Sequence, residues 1–471
     1  MLSTVIRTIS PSTNRVVCEV PSTSLAEARE IVVSSTEAFL SWRNLPLNRR
    51  RDIVARGLAL IQDKKMELGR ELTEQMGRPI AFSHKEIETM QKRADYLLET
   101  AKLALADIPG HIQEDGFQRW MQKVPLGPIL VSFAWNFPYL IIVNALVPAL
   151  LAGNTVILKP SPQTPLVATR IQEIFSEAGL PTNVLQVVQS GDVQMLRELV
   201  QIPGIKGVSF TGSTKAGDAV REAAAQRETP VPLNLELGGN DPAYVRPDAD
   251  LAYTAAQLVD GAVFNAGQSC CAVERIYVHA DVHDAFVREL QRELETYRLG
   301  DPQDQTTNVG PVISKAALDV INSHIEDALS KGAINATPAN PTFATLPATG
   351  GNYIAPSLLT NTNHDMIIMQ EETFGPVIPV AKVSSDDEAV LRMNESEYGL
   401  TASVWTKDTA RGSELIALLD AGTVFVNRCD YPNPDLAWTG WKKSGLGCTL
   451  GPRAFDFFTK LRSFHIKESQ K

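Results

Sequence analysis

Residues 127–160, GPILVSFAWNFPYLIIVNALVPALLAGNTVILKP, carry the clearest indication of the fold. Two short apolar runs, at 129–133 and 155–158, flank a longer apolar segment that is predicted to be a helix. Short apolar strands that alternate with helices are typical of a parallel sheet built from βαβ units. Further strands are predicted at 184–188 and 208–210. The region therefore indicates the α/β architecture of nucleotide-binding folds.

The apolar segment at 140–152 is too short to span a bilayer, and Asn144 and Pro148 interrupt it. We therefore predict a buried core helix. The N-terminal residues MLSTVIRTISPSTNRVVCEV contain no basic region followed by an apolar run, so no signal peptide is expected. The sequence gives no reason to expect a membrane partner.

N-terminal to this region, the pattern is mostly helical. Ser24 and Glu27 form a predicted capping box, and further helices are expected at 48–66 and 84–104. Residues 111–124, HIQEDGFQRWMQKV, alternate in two short runs around a turn. This alternation predicts a hairpin that projects from the main body.

C-terminal to Gly238 and Gly239, a second alternating α/β region begins. It contains a predicted helix at 251–264, the loop NAGQSCC, a strand at 275–278 and a helix from Asp281. Residues 335–351 resemble a long irregular surface loop. The sequence thus predicts an α/β protein with a Rossmann-like domain and a second α/β domain.

Composition limits the class of partner and the compartment. The 471 residues carry a net charge of −10, and Lys and Arg are spread along the chain, so nucleic acid is not an expected partner. An odd number of cysteines without paired spacing argues against a disulfide framework and favours a reducing, cytoplasmic setting. The cysteines are Cys18, Cys270, Cys271, Cys429 and Cys448.

Three side chains lie beside glycines or at element boundaries where chemistry is possible. Cys270 follows a predicted helix end and Gly267, which can expose a thiol as a nucleophile, although a lone cysteine more often packs as a small hydrophobe. Glu236 lies in the apolar strand end LELGG, where burial raises a carboxyl pKa toward that of a general base, unless the side chain faces solvent. Asn136, at a strand-to-helix step, is either an oxyanion donor or a turn residue.

Two further segments suit a nucleotide. Lys159 ends a predicted strand at the carboxyl edge of the sheet, where it can reach a ribose hydroxyl or a phosphate, or else is a solvated lysine. In SFTGSTKAG, Gly212 and Gly217 would let a pyrophosphate approach a helix N-terminus. The GxGxxG dinucleotide fingerprint itself is absent.

Together these segments resemble the aldehyde dehydrogenase superfamily over nearly the whole chain. FNAGQSCCA resembles the family's cysteine signature, and LELGGNDP resembles its glutamate signature. Further matches are QEETFGPV from Gln370, NESEYGLTASVWTKD from Asn394 and KKSGLG from Lys442. Because coenzyme A acylating relatives usually lack the glutamate, Glu236 favours the hydrolytic branch of the family.

The resemblance implies a role for each matching residue. Cys270 would be the nucleophile, Glu236 the general base, and Asn136 an oxyanion donor beside the backbone amide of Cys270. The cofactor, NAD or NADP, would be held by Lys159, Ser161, Pro162, Gly212, Ser213, Glu372, Phe374 and Trp135. The substrate pocket would include Tyr139, Phe264, Cys271, Arg428 and Asp430.

Two departures from the family bear on specificity. Many NAD-preferring members carry a glutamate three positions after the lysine, where this chain has Pro162, so both NAD and NADP stay open. Relatives that oxidise succinate semialdehyde commonly have an arginine where this chain has Phe264. An uncharged aliphatic or aromatic aldehyde is therefore the favoured substrate class, and a semialdehyde is the alternative.

A cysteine esterase or thioesterase without redox chemistry is a different reading, but no histidine lies in the motif segments to serve as its base. His279 and His283 are spaced as a metal pair, yet no other ligand pattern surrounds them, and no metal is expected. The resemblance implies a homodimer or homotetramer. The expected domains are residues 1–106 and 126–237 for the cofactor, 238–440 for catalysis, and 107–125 with 441–471 for oligomerisation.

Overall fold

The predicted α/β architecture is present in the computed structural model, which describes residues 5–112 and 114–468. Its strands are β1 (Val5–Ile9), β2 (Val16–Pro21), β3 (Ile108–Pro109), β4 (Phe117–Pro125), β5 (Pro128–Phe133), β6 (Thr155–Pro160), β7 (Leu185–Val187), β8 (Gly207–Thr211), β9 (Leu233–Glu236), β10 (Asp241–Val245), β11 (Val273–His279), β12 (Ile334–Asn335), β13 (Ser357–Thr360), β14 (Val377–Val383), β15 (Tyr398–Gly399), β16 (Thr401–Trp405), β17 (Thr423–Val426), β18 (Trp441–Lys442), β19 (Gly445–Leu446) and β20 (Thr459–Lys467).

The helices surround these strands. They are α1 (Leu25–Trp42), α2 (Leu47–Asp63), α3 (Lys65–Met76), α4 (Ile80–Ala104), α5 (Pro138–Ala152), α6 (Pro165–Glu177), α7 (Val193–Gln201), α8 (Thr214–Ala225), α9 (Leu251–Val263), α10 (His283–Leu294), α11 (Lys315–Ser330), α12 (Pro341–Ala344), α13 (Asp386–Asn394) and α14 (Thr409–Ile416). In the described residues, no helix combines the length and the apolar character that crossing a bilayer requires.

The first large sheet has the strand order β19-β9-β8-β5-β6-β7. Its strands from β9 to β7 pair in parallel, and β5 pairs with both β6 and β8. Because β5, β6, β8 and β9 are parallel, their carboxyl ends meet at one edge of the sheet, which is where open α/β sheets bind ligands. Asn136, Lys159 and Glu236 follow or end three of these strands.

The second large sheet has the order β12-β13-β14-β11-β10-β16-β17. All of its pairs are parallel except β12 with β13. Helix α9 covers this sheet with a buried face that includes Leu258 and Val259. It leads into the cysteine loop, which comes directly before β11. The second sheet therefore positions the thiol of Cys270 relative to the carboxyl edge of the first sheet.

A third sheet has the order β20-β4-β3. β20 pairs with β4 along its whole length, from Thr459 opposite Pro125 to Lys467 opposite Phe117. The predicted hairpin is therefore present as β3 and β4, but β3 lies ahead of residue 111. The longer partner of β4 is the C-terminal strand β20. Within residues 441–471, β18 and β19 pair instead with β15 and β9.

Three other boundaries differ from the sequence prediction. The helix expected at 48–66 is two helices, because the chain turns at Lys64 (φ −90°, ψ 7°) before α3 begins. Helix α4 starts at Ile80 instead of residue 84. The loop expected at 335–351 contains the short helix α12, whose N-cap Asn340 accepts a hydrogen bond from the Thr342 amide.

Candidate active site

A cavity of about 470 Å³ opens at the carboxyl edge of the first sheet. Every residue predicted for catalysis or cofactor binding lines it: Cys270, Glu236, Asn136, Lys159, Ser161, Pro162, Gly212, Ser213, Glu372, Phe374 and Trp135. These residues are spread over more than two hundred positions of sequence. The fold thus brings the cysteine, the glutamate and the nucleotide-type residues to one cleft.

The loop that carries Cys270 has an unusual backbone. Asn265, Ala266 and Gly267 all have positive φ, of 55°, 57° and 71°. Left-handed backbone is uncommon for residues with a Cβ, so surrounding contacts must hold it. A Cβ on Gly267 would lie 2.2 Å from the Gly375 carbonyl oxygen, so the glycine is required there.

Side-chain amides supply those contacts. Asn265 Nδ2 donates to the Gln268 carbonyl at 3.1 Å, and Gln268 Nε2 donates back to the Asn265 carbonyl at 2.9 Å. Gln268 Oε1 also accepts from the backbone amide of Ile313 at 2.7 Å. On the other side, a Cβ on Gly239 would lie 2.4 Å from the Cys270 carbonyl oxygen. The glutamate segment and the cysteine loop therefore touch through backbone.

Cys270 is half-buried, and its neighbour Cys271 is buried. A hydrogen bond with the Cys271 thiol, followed by burial, raises the pKa of Cys270 well above its usual range. The negative charge of Glu236 acts in the same direction. A thiol nucleophile reacts as the thiolate, so Cys270 needs a base or a bound positive charge to react at neutral pH.

Two threonine hydroxyls hold the carboxyl group of Glu236. Thr449 Oγ1 donates to Oε1 at 2.5 Å, and Thr211 Oγ1 donates to Oε2 at 3.3 Å. Burial is the main cause that raises the pKa of Glu236, while these hydrogen bonds and the charge of Arg93 oppose the rise. A fixed carboxyl group with a raised pKa is suited to take a proton from water.

Asn136 reaches the cysteine loop from the end of β5. Its Nδ2 donates to the Gln268 carbonyl at 3.3 Å, while its Oδ1 accepts no hydrogen bond from any described residue. A primary amide has two N–H donors, so the second stays available on the side of the cavity. The side chain can therefore donate to an oxygen bound near Cys270.

Sequence reasoning missed the buried pair Arg78–Glu86. Arg78 Nη1 pairs with Glu86, Nη2 donates to the Asn136 carbonyl, and Nε donates to Asn265 Oδ1 at 3.2 Å. Glu86 Oε1 accepts from the Tyr139 amide at 2.7 Å, in the first turn of α5. Arg78 therefore fixes both loops that face the thiol. No local motif marks it, because its partners lie 8, 58 and 187 residues away.

The far end of the cavity is formed by β6, β8 and α8. Burial lowers the pKa of Lys159 to about 8, and its Nζ donates to the Pro160 carbonyl at 3.2 Å. Ser213 caps α8, accepting from the Ala216 amide at 3.3 Å. A Cβ on Gly212 would lie 2.6 Å from the Phe210 ring. A buried lysine beside a helix N-terminus suits a phosphate-containing group.

Glu372 and Phe374 reach the cavity from the second sheet. Burial raises the pKa of Glu372 to about 7, and its Oε1 accepts from the Gly239 amide at 3.0 Å. Phe374 has φ 51°, held by its amide donating to Glu274 Oε1 at 2.8 Å. Its ring lies edge-on to Trp135, with centroids 5.8 Å apart. A nicotinamide dinucleotide therefore fits the donor set and shape of this cleft.

The predicted substrate residues lie outside the large cavity. Phe264 stacks on Phe137 with ring centroids 6.3 Å apart, next to the cysteine loop. The Cys271 thiol lies 3.8 Å from the Asp430 carbonyl oxygen. Burial, followed by the charge of Asp260, raises the pKa of Asp430 to about 7. Arg428 lines a separate cavity of about 190 Å³.

The structure differs from the prediction that Tyr139 belongs to the substrate pocket. Its side chain is 1% exposed and packs in the helical core with residues of α4 and α6, not against the cavity. The physical reason is that Tyr139 lies in the first turn of α5, where its side chain is buried in the helical core. The acidic side chains that act on it, Glu71 and Glu86, belong to that helical layer.

No group of three or more His, Cys, Asp or Glu side chains in the described part of the chain could hold a metal ion. His279 Nδ1 lies 3.5 Å from Asp281, and His283 Nδ1 lies 2.7 Å from Asp284. Each histidine lies beside an exposed aspartate, and neither lines the large cavity.

Comparison with known proteins agrees with this geometry. The sequence model of the Aldehyde dehydrogenase family matches residues 2–464. A lactaldehyde dehydrogenase of Escherichia coli strain K12 is 33% identical over 98% of this chain and 95% of its own. A solved NADP-dependent enzyme from E. coli superposes with a TM-score of 0.92 at 30% identity, covering 98% of this chain and 95% of that chain. An NAD-dependent aldehyde dehydrogenase from Sinorhizobium meliloti superposes with a TM-score of 0.93 at 30% identity, covering 99% and 92%. The chain therefore belongs to the aldehyde dehydrogenase family.

Proposed function

We propose that this enzyme oxidises an aldehyde to a carboxylic acid through a thioester on Cys270, with NAD or NADP as the hydride acceptor. The observation that carries the proposal is the single cleft in which Cys270, Glu236 and Asn136 meet the lysine and the helix N-terminus of a nucleotide site. The similarity to both NAD-dependent and NADP-dependent enzymes supports either cofactor. When bound, the nicotinamide ring supplies a hydride acceptor.

In the first half of the reaction, the thiol proton of Cys270 passes to solvent, and Sγ then forms a bond to the aldehyde carbon. The carbonyl oxygen takes negative charge and is stabilised by the free Asn136 N–H and the backbone amide of Cys270. Loss of one such donor typically costs about 3 kcal/mol of activation free energy. The carbon–hydrogen bond then breaks, its electron pair leaves as hydride, and the carbonyl re-forms as a thioester.

In the second half, water attacks the thioester carbon while Glu236 takes a proton from the water. The carbon–sulfur bond breaks, and its electron pair returns to Cys270. Glu236 has both oxygens held by threonines, so it keeps one orientation through the step. Such positioned proton transfer typically contributes about 10²- to 10⁴-fold to the rate.

The first test is a panel of aldehydes assayed with NAD and with NADP. We expect reduced cofactor to appear at 340 nm with at least one aldehyde and carboxylic acid to form in equal amount. A cysteine esterase would instead cleave an activated ester and give no reduced cofactor with any aldehyde. That result would contradict the proposed oxidation.

Asp192 adds a prediction about cofactor choice that the sequence did not provide. It lines the same cavity as Pro162 and interacts electrostatically with Lys159. Its carboxylate accepts from the Gln194 amide at 2.8 Å and so caps α7. This chain has Pro162 at the position where many NAD-preferring relatives carry a glutamate. Asp192 nevertheless places a negative charge in this part of the cleft.

Asp192→Asn is expected to lower the KM for NADP by about 3- to 10-fold while changing the KM for NAD by less than about twofold, because a like charge near the ribose phosphate is removed. Asparagine caps helices as well as aspartate does, so α7 should be preserved. Asp250→Asn, which changes the N-cap of α9 outside the cleft, is the matched control. An unchanged ratio of the two KM values would exclude Asp192 from cofactor selection.

We also propose that the third sheet joins copies of the chain as a dimer or tetramer. Its strand β20 carries the exposed apolar side chains Leu461 and Ile466. Trp120 and Phe464 stack across the strands with centroids 4.6 Å apart. Exposed apolar side chains on an edge strand favour pairing with another chain. We also propose the domain division that the sequence predicts. In it, the first sheet belongs to the cofactor domain, and the second sheet belongs to the catalytic domain that carries the thiol.

A further inference from the structure

Four arginines are buried in the described part of the chain, and one of them has guanidinium nitrogens without an acceptor. In Arg50, Arg78 and Arg275, each guanidinium nitrogen donates to a carbonyl, carboxylate, amide or hydroxyl oxygen. Arg93 is 7% exposed, yet only its Nη1 donates, to the Leu140 carbonyl and to Asn144 Oδ1, both at 3.3 Å. Its Nε is buried without any acceptor.

Arg93 lies within electrostatic range of the reacting residues. Burial lowers the pKa of its guanidinium, whereas the fields of Glu236, Cys271, Tyr431 and Cys270 raise it. These four groups come from β9, from the cysteine loop and from the segment after β17. An arginine in such a place keeps its charge. Helix α4 therefore places a positive charge near Cys270 and Glu236, where the aldehyde of the proposed reaction must bind.

Asn144 extends the same donor set. It is 3% exposed on α5, its Oδ1 accepts from Arg93, and its Nδ2 donates to no described residue. The Nε and Nη2 of Arg93 and the Nδ2 of Asn144 are thus donors that lack acceptors. Glu236 does not fill this role, because its two oxygens already accept from Thr449 and Thr211.

Buried donors without acceptors are costly, so a buried guanidinium normally has an acceptor for each of its nitrogens. We infer that Arg93 and Asn144 form a subsite for a carboxylate carried by the substrate, so that the aldehyde oxidised here is an oxo acid. This inference rests on the proposed function and names its substrate class. A planar carboxylate matches the two free guanidinium nitrogens in the bidentate geometry that arginine favours.

This substrate class differs from the uncharged aldehyde that Phe264 favoured. The sequence comparison considered an arginine only in the cysteine loop, directly before Asn265. In the folded chain the positive charge comes from α4, more than a hundred and seventy residues earlier, and acts on Cys270 and Cys271 in the cysteine loop. The semialdehyde alternative is therefore the one that the contacts support.

The test compares kcat/KM for short oxo acids with that for straight-chain aldehydes of the same length. The wild-type enzyme is expected to prefer the oxo acids. Arg93→Met should lower kcat/KM for oxo acids by about 10- to 100-fold and for the neutral aldehydes by less than about threefold, because a charged hydrogen bond to the substrate is lost. Lys92→Met, which removes the exposed charge next to it on α4, is the matched control and should change neither value.

Two further variants protect the test against a misfolded Arg93→Met protein. Arg93→Lys keeps the charge and should recover part of the preference for oxo acids. Asn144→Asp places a carboxylate against Arg93 with almost no change of shape, and the internal ion pair should selectively exclude oxo acids. Neither variant alters a side chain that lines the cofactor cleft, and Arg93→Lys also keeps the positive charge that acts on Glu236.

The outcomes separate this inference from the proposed function. If neutral aldehydes are oxidised but the wild-type enzyme shows no preference for oxo acids, water satisfies Arg93 and the inference is overturned while the oxidation stands. If Arg93→Met lowers kcat/KM equally for both substrate classes and shifts the pH profile, Arg93 acts on Glu236 or Cys270. That result also overturns the inference. If no aldehyde reduces either cofactor, the proposed function fails, and the inference fails with it.

Discussion

Cys270→Ala is expected to lower kcat by at least about 10⁴-fold, because the variant loses the atom that bonds to the aldehyde carbon. Alanine occupies less volume and introduces no polar group, so the loop held by Asn265 and Gln268 should keep its backbone. The measurement is the rate of cofactor reduction, with binding of NAD or NADP as a check that the cleft is intact.

Two control variants identify the sulfur that reacts. Cys18→Ala removes a thiol from β2, outside the cleft, and should leave kcat unchanged. Cys271→Ala removes the buried neighbour, which packs against Leu400, Trp438 and Leu450. It should retain far more activity than Cys270→Ala. Loss of activity in the Cys271 variant together with an active Cys270 variant would assign the reaction to the other thiol.

Glu236→Gln is expected to give one equivalent of reduced cofactor per active site and then to stall. Hydride transfer needs Cys270 and the cofactor, whereas hydrolysis of the thioester needs a base for water. Steady-state turnover should fall by about 10²- to 10⁴-fold. Glutamine has the shape of glutamate, and the hydroxyl groups of Thr449 and Thr211 can either donate or accept, so the local packing should persist.

Rapid mixing with absorbance at 340 nm measures this burst. Added hydroxylamine, which attacks thioesters without a protein base, should restore turnover in the variant and have little effect on the wild-type rate. If the variant shows no burst at all, Glu236 acts before hydride transfer or is only structural.

The sequence was sufficient to find residues that lie in short motifs and that the fold brings to one cleft. Cys270 and Glu236 lie in segments that resemble family signatures, and the strands that carry Asn136 and Lys159 follow from apolar runs beside turn residues. Each of these signals is local, so it can be read from a few neighbouring residues. The α/β fold follows from the same alternation of strands and helices.

The sequence could not reveal groups that act across the fold. Thr449 meets Glu236 over 213 residues, and Arg78 meets Asn265 over 187. In the sequence, Arg93 resembles any other arginine of an amphipathic helix, because the pattern does not show that its side chain is buried. Tyr139 was misplaced for a related reason. Nearness to Asn136 in sequence does not fix the face of a helix, and one turn of α5 directs its ring into the core.

The decisive measurement for a thioester on Cys270 is the mass of the Cys270 peptide from Glu236→Gln, quenched in acid after mixing with aldehyde and cofactor. We predict that the peptide gains the mass of the acyl group, in an amount equal to the reduced cofactor formed, and that hydroxylamine removes it. Reduced cofactor formed in the burst while Cys270 stays unmodified, or an acyl group found on a different residue, would contradict the account.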